Sequence, residues 1–126
     1  MPKIAAERLE EIGRALFIAA GTPAEEAALV MRHIVGANLV GHDSHGVIQI
    51  PTYIERIKVG HIVPGAPWVI TKESATTTVV DGHWGFGYVV NERAMRHFDP
   101  SLQLGVIYSV IVRPLSGDYW IPGPVS

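Results

Sequence analysis

Residues 21–66 read GTPAEEAALVMRHIVGANLVGHDSHGVIQIPTYIERIKVGHIVPGA, and the fold is decided in this stretch. Gly21 opens it as a residue free to take positive φ, which suits the end of a preceding helix. Thr22-Pro23-Ala24-Glu25 then reads as a helix start. Thr22 is placed to cap, Pro23 to sit where its missing N–H costs nothing, and Glu25 to complete a capping box. Ala27, Leu29, Val30, Ile34, Val35, Ala37 and Leu39 carry the helix to Gly41. Upstream, over residues 4–19, Ile4, Leu9, Ile12, Leu16 and Ile18 recur near helical spacing, with Glu7, Glu10, Glu11 and Arg14 on the other side. The pattern predicts two antiparallel helices joined by a tight turn.

Past Gly41 the pattern changes. His42-Asp43-Ser44-His45-Gly46 is short and polar, and Asp43 or Ser44 is placed to cap the next segment. Val47, Ile50, Ile54 and Ile57 form one apolar stripe with Tyr53 beside it, and Pro51 lies within the stripe. That predicts either a kinked helix or a short turn feeding a helix that begins near Pro51, ended by Gly60. Residues 62–67 are a loop by their proline and glycine content. Residues 68–71 and 76–81 read as strands, rich in β-branched side chains. A helix comes next from Tyr88 to His97, Asp99-Pro100 should break it, and residues 105–112 are a last strand candidate. The fold class expected is mixed α+β: an N-terminal helical hairpin and kinked helix, then the start of a sheet. The division expected is a helical region over residues 1–61 and a partial α/β region over 62–126.

A chain of 126 residues suffices for one modest domain with a core, and 48% hydrophobic against 17% charged residues argues against disorder. A net charge of -2 gives no electrostatic reason to expect nucleic acid or an anionic membrane as partner. Cysteine is absent, which excludes disulfides and thiolate metal sites. No signal-peptide core stands near Met1, and no apolar run reaches the length that spans a bilayer. A soluble cytoplasmic protein is expected.

His45, beside Asp43 and Ser44 in a polar turn, is the best catalytic candidate, since imidazole can both give and take a proton near neutrality. The same residues also fit a plainer reading in which Asp43 caps a helix and His45 is a surface or hinge residue. His42 and His45 are three apart, but no third ligand stands at characteristic spacing, and no metal is expected. Gly82-His83-Trp84-Gly85-Phe86-Gly87 lies between a strand and a helix, where phosphate loops occur. It lacks the G-x-G-x-x-G spacing and a following lysine, so a structural turn is the better reading. Ser44 and Ser116 have no nucleophile-elbow context.

From about residue 5 to His97 these pieces, in this order, resemble the opening of the malate/L-lactate dehydrogenase family of the non-Rossmann kind. The capped helix, Asp43-Ser44-His45-Gly46, the Pro51–Tyr53 helix and TTTVVDGHWGFGYVVNERAM each match a family segment. The resemblance implies hydride transfer between NADH or NADPH and a 2-oxo or 2-hydroxy acid. It also implies NAD or NADP as the cofactor, with binding residues unknown, and His45 as the proton donor or acceptor. Ser44 and Gln49 are the implied substrate-binding residues. Many members carry arginine four residues after the histidine, where this chain has Gln49. Members are more than twice this length, so the resemblance also implies a truncated chain, its tail divergent from about residue 98. The rival reading is a truncated member without catalysis, at most a folding or dimerisation module. An unfinished sheet with an open edge and exposed apolar surface favours self-association, a homodimer being one form, or instability over a clean monomer.

Overall fold

The computed structural model describes residues 2–74 and 78–97. The chain divides into two compact units, Met1–Gly65 and Ala66–Ser126. The fold is mixed α+β, with four α-helices and one two-stranded sheet among the described residues. No helix among those residues is long and apolar enough to cross a membrane.

The first unit holds α1 (Ala6–Ala19), α2 (Ala24–Leu39), two 3₁₀ turns (Asp43–His45 and Val47–Gln49) and α3 (Ile50–Lys58). Each α-helix ends in the same way. Gly21, Gly41 and Gly60 take φ of +100°, +81° and +81°. Their N–H groups donate to Ile18, Asn38 and Ile57, and the next residues' N–H groups donate to Phe17, Ala37 and Arg56. These paired bonds consume carbonyls that a helix end would leave open, and they require a residue tolerant of left-handed φ.

The core of the hairpin is Phe17, Ala27, Val30, Met31, Ile34 and Val35, all buried. Of the apolar stripe expected to face it from α1, Leu9 is half-buried and the rest is turned away. Ile12, Leu16 and Ile18 are exposed, while the buried positions of α1 are Gly13 and Phe17, on the adjacent face. A methyl group at Gly13 would collide with the Met31 side chain, so glycine is what lets α1 approach α2 on that face.

Two further expectations are corrected. No capping box forms: α2 starts at Ala24 with Pro23 as its N-cap and no side-chain cap bond, and the Thr22 hydroxyl is buried without a hydrogen-bond partner. Buried Glu26 takes the structural part instead, its Oε2 accepting the N–H of Gly65 at 2.9 Å. Nor does Asp43 or Ser44 cap the next segment. Of the two forms open to the Pro51 segment, a short turn feeding a helix is the one found: the 3₁₀ turns lead into a helix in which Pro51 occupies the first turn, where no backbone bond is lost.

In the second unit β1 (Val69–Glu73) pairs antiparallel with β2 (Thr78–Asp81). The register runs Ile70 to Val80 and then Lys72 to Val79, so Thr71 is left without a partner as a bulge. Helix α4 (Gly87–His97) sets Val90 and Ala94 into a cluster with Val80, against which Trp68 and Ile70 pack. The expected break at Asp99-Pro100, the strand over residues 105–112 and the divergent tail lie outside the described residues.

Which face of α1 is buried can be read from stability. Phe17→Ala should cost about 3–5 kcal/mol in chemical denaturation. Leu16→Ala, one residue away, should stay within about 0.5 kcal/mol. Similar losses from both would contradict the packing described.

Candidate functional site

The chain leaving Gly41 doubles back along the last turn of α2, and the two 3₁₀ turns fold against that turn. Asn38 meets them. Its Nδ2 donates to Asp43 Oδ1 at 2.8 Å, and its Oδ1 accepts the N–H of Val47 at 2.9 Å. Gly46, buried, lies flat against the Asn38 amide, where any Cβ would collide with it. Its φ is -91°, so closeness and not left-handed backbone is the reason for glycine here.

Within this frame the three candidate residues lie on adjacent turns, Ser44 and His45 on the first and Gln49 on the second. The Ser44 hydroxyl is 3.0 Å from His45 Nδ1. Gln49 Nε2 donates to the Ser44 carbonyl at 2.8 Å. The rings of His42 and His45 meet edge to face with centroids 5.1 Å apart, the juxtaposition expected of positions i and i+3 on a 3₁₀ turn. His42 to His45 are exposed to solvent. A hydroxyl on Nδ1 fixes the ring and leaves Nε2 as the nitrogen able to meet an external group. Among the described residues, no group of three or more His, Asp or Glu could hold a metal ion.

The sequence pattern shared by malate/L-lactate dehydrogenases matches residues 4–107. The chain belongs to that family. Hydroxycarboxylate dehydrogenase B of Escherichia coli O157:H7 is 38% identical over 90 residues, covering 71% of this chain and 25% of the relative. L-sulfolactate dehydrogenase of Methanocaldococcus jannaschii is 43% identical over 75 residues, 60% of this chain and 22% of that protein. The structure of malate dehydrogenase from Pyrococcus horikoshii OT3 superposes with a TM-score of 0.73 at 28% identity, over 75% of this chain and 27% of that one. The chain thus spans about a quarter of the length of the relatives it matches. The family and these relatives are hydroxy acid dehydrogenases.

In this family member the glycine-rich segment is a tight turn. The N–H of Gly85 donates to the Gly82 carbonyl at 2.9 Å, and His83 and Trp84 between them take φ of +46° and +65°. Two left-handed residues spanned by that bond make a type I′ turn, costly for side chains other than Gly, Asn or Asp. His83 offsets the cost: its N–H donates to Asp81 Oδ1 at 2.9 Å, and its Nδ1 lies 3.1 Å from the Pro67 carbonyl. The N–H groups of His83 and Gly85 are therefore consumed internally, and a carboxylate stands beside them. The turn does not fit a pyrophosphate.

Asn38 is a site residue that sequence reasoning alone does not single out. The available signal is a poor helix former in the last turn of an otherwise favourable helix, whose side chain is free to bond elsewhere. Gly46→Ala should displace Asn38 and cost about 1–3 kcal/mol. The measurement is a denaturation curve together with the amide resonance of Val47; an unchanged resonance would contradict the contact.

Proposed function

We propose that the chain serves an oxidoreductase that interconverts 2-oxo and 2-hydroxy acids with NADH or NADPH, His45 acting as proton donor and acceptor. The observation that carries this reading is the Ser44 Oγ to His45 Nδ1 contact of 3.0 Å on an exposed turn. A bound nicotinamide supplies or takes the hydride at the substrate carbon. The chain's own residues handle the proton. With Nδ1–H donating to Ser44 Oγ, Nε2 can lose a proton to the oxygen of a carbonyl under reduction. In the reverse direction it takes the hydroxyl proton.

Gln49 commits one amide hydrogen to the Ser44 carbonyl, and the second hydrogen of its NH₂ group remains to meet a substrate carboxylate. That grip is uncharged and single, weaker than the bidentate pairing an arginine makes. A homodimer belongs to the same reading and is supported by the apolar side chains of Ile12 and Leu16 left open on α1. A cytoplasmic location goes with it, and the absence of cysteine is compatible with a reducing compartment.

Titration with NADH and NADPH, followed by nicotinamide fluorescence, should saturate, and pyruvate, oxaloacetate or a related 2-oxo acid should be turned over. His45→Ala should lower kcat by about 10²–10⁴. Gln49→Arg should lower KM for the 2-oxo acid by about tenfold, the gain of one charged hydrogen bond. No saturation at millimolar cofactor and no turnover would overturn the proposal and leave a family member without catalysis.

A further inference from the structure

We propose that Asn38 is the positioning residue for His45, a single amide that fixes both ends of the turn carrying it; the inference rests on His45 being the proton-transfer residue. The two Asn38 bonds reach Asp43 Oδ1 and the N–H of Val47, which flank Ser44-His45-Gly46 on either side. One belongs to the first 3₁₀ turn and one to the second, so the same side chain sets the position of both.

The requirement on this residue is narrow. Val47 needs an acceptor and Asp43 needs a donor, both at the reach of one short side chain, and a primary amide supplies one of each. A carboxylate at position 38 would keep the acceptor and set a like charge against Asp43. An alanine would lose both bonds. A glutamine would carry the amide one methylene further, into the place taken by the backbone of Gly46, which already lies against the Asn38 amide. Position 38 is also where α2 is ending, its own carbonyl accepting the N–H of Gly41 at 3.0 Å. The clamp therefore anchors the turn to the rigid end of a helix whose body is buried, with Val30, Met31, Ile34 and Val35 in the core.

The backbone of the turn sets where the His45 imidazole points, and Ser44 is the neighbouring residue on the same backbone. Loss of the clamp leaves both side chains on a turn held by its local bonds, among them His45 N–H to the His42 carbonyl and Gly46 N–H to the Asp43 carbonyl, each 3.0 Å. Displacement of a reacting group by about an ångström is enough to cost about a hundredfold in rate.

The test reads the turn directly in the full chain, by amide hydrogen exchange at Val47 and by the imidazole ¹⁵N resonances that report the His45 tautomer. Asn38→Ala should speed exchange at Val47 at least tenfold and move the His45 ¹⁵N resonances, with the amides of Val30 and Met31 unchanged as evidence of an intact hairpin. Asn38→Asp alone should do the same. The double substitution Asn38→Asp with Asp43→Asn exchanges donor and acceptor across the pair and should restore Val47 protection to within about threefold of the native chain. Unchanged exchange and resonances in Asn38→Ala would overturn the clamp, as would a double variant no better than Asn38→Asp. These readouts need no turnover. If Asn38→Ala loosens the turn while His45→Ala leaves turnover intact, the catalytic reading falls and the clamp stands; with the pattern reversed, the clamp falls alone.

Discussion

A helix has to stop before the chain can return along its own last turn, and in this protein the candidate site exists because α2 stops where it does. The carbonyls of Ala37 and Asn38 are taken by the N–H groups of His42 and Gly41, with Gly41 at φ +81°. That geometry aims the next residues back at the helix they have just left. Asn38 then faces the returning backbone instead of solvent alone, and the two bonds it makes at 2.8 and 2.9 Å become available. Remove the left-handed residue and the chain would continue along or away from the helix axis. Ser44, His45 and Gln49 would then share no frame.

The same device ends α1 and α3, yet neither carries a comparable site. The difference lies in the length and polarity of the segment beyond each glycine. After Gly21 the chain has only Thr22 and Pro23 before α2 begins, and the N–H of Thr22 is spent on closing α1. After Gly60 the N–H groups of His61 and Ile62 both return to Arg56, and the chain runs on to Gly65, whose N–H is held by Glu26. Only after Gly41 does a polar run of several residues fold as short turns against the helix it left. A common stop signal thus yields a hairpin, a loop and a candidate active turn according to the residues it releases.

What could be read in the sequence was what depends on neighbours along the chain. The helix-ending glycines, the proline at the start of α3 and the β-branched runs of the hairpin act within four or five residues, and each left a local mark. The identity of the buried face of α1 did not. Ile12 and Leu16 are more apolar than Gly13, and periodicity counts apolarity, but the approach of two helices is decided by the smallest residue facing the largest, here Gly13 against Met31. Thr22 and Glu25 carried the letters of a capping box, whereas Glu26 was the residue whose carboxylate found a backbone N–H, 39 positions away. The partner of Asn38 at Val47 lies nine positions on, beyond a helix end, and such a pairing cannot be inferred until the chain has turned.

The candidate site also shows how a change of one side chain can leave its frame intact. Gln49, on the second 3₁₀ turn, donates to the backbone of Ser44 on the first. An amide at this place is therefore partly a scaffold group, with one hydrogen committed and one free. The hydroxyl of Ser44 answers to His45 while its carbonyl answers to Gln49, so the imidazole and the neighbouring amide are tied through a single residue. Asn38 meets both turns from the helix, and Gln49 links the second turn to the first. The two Asn38 bonds do not involve position 49, so the anchorage of the turns to α2 is independent of the side chain there.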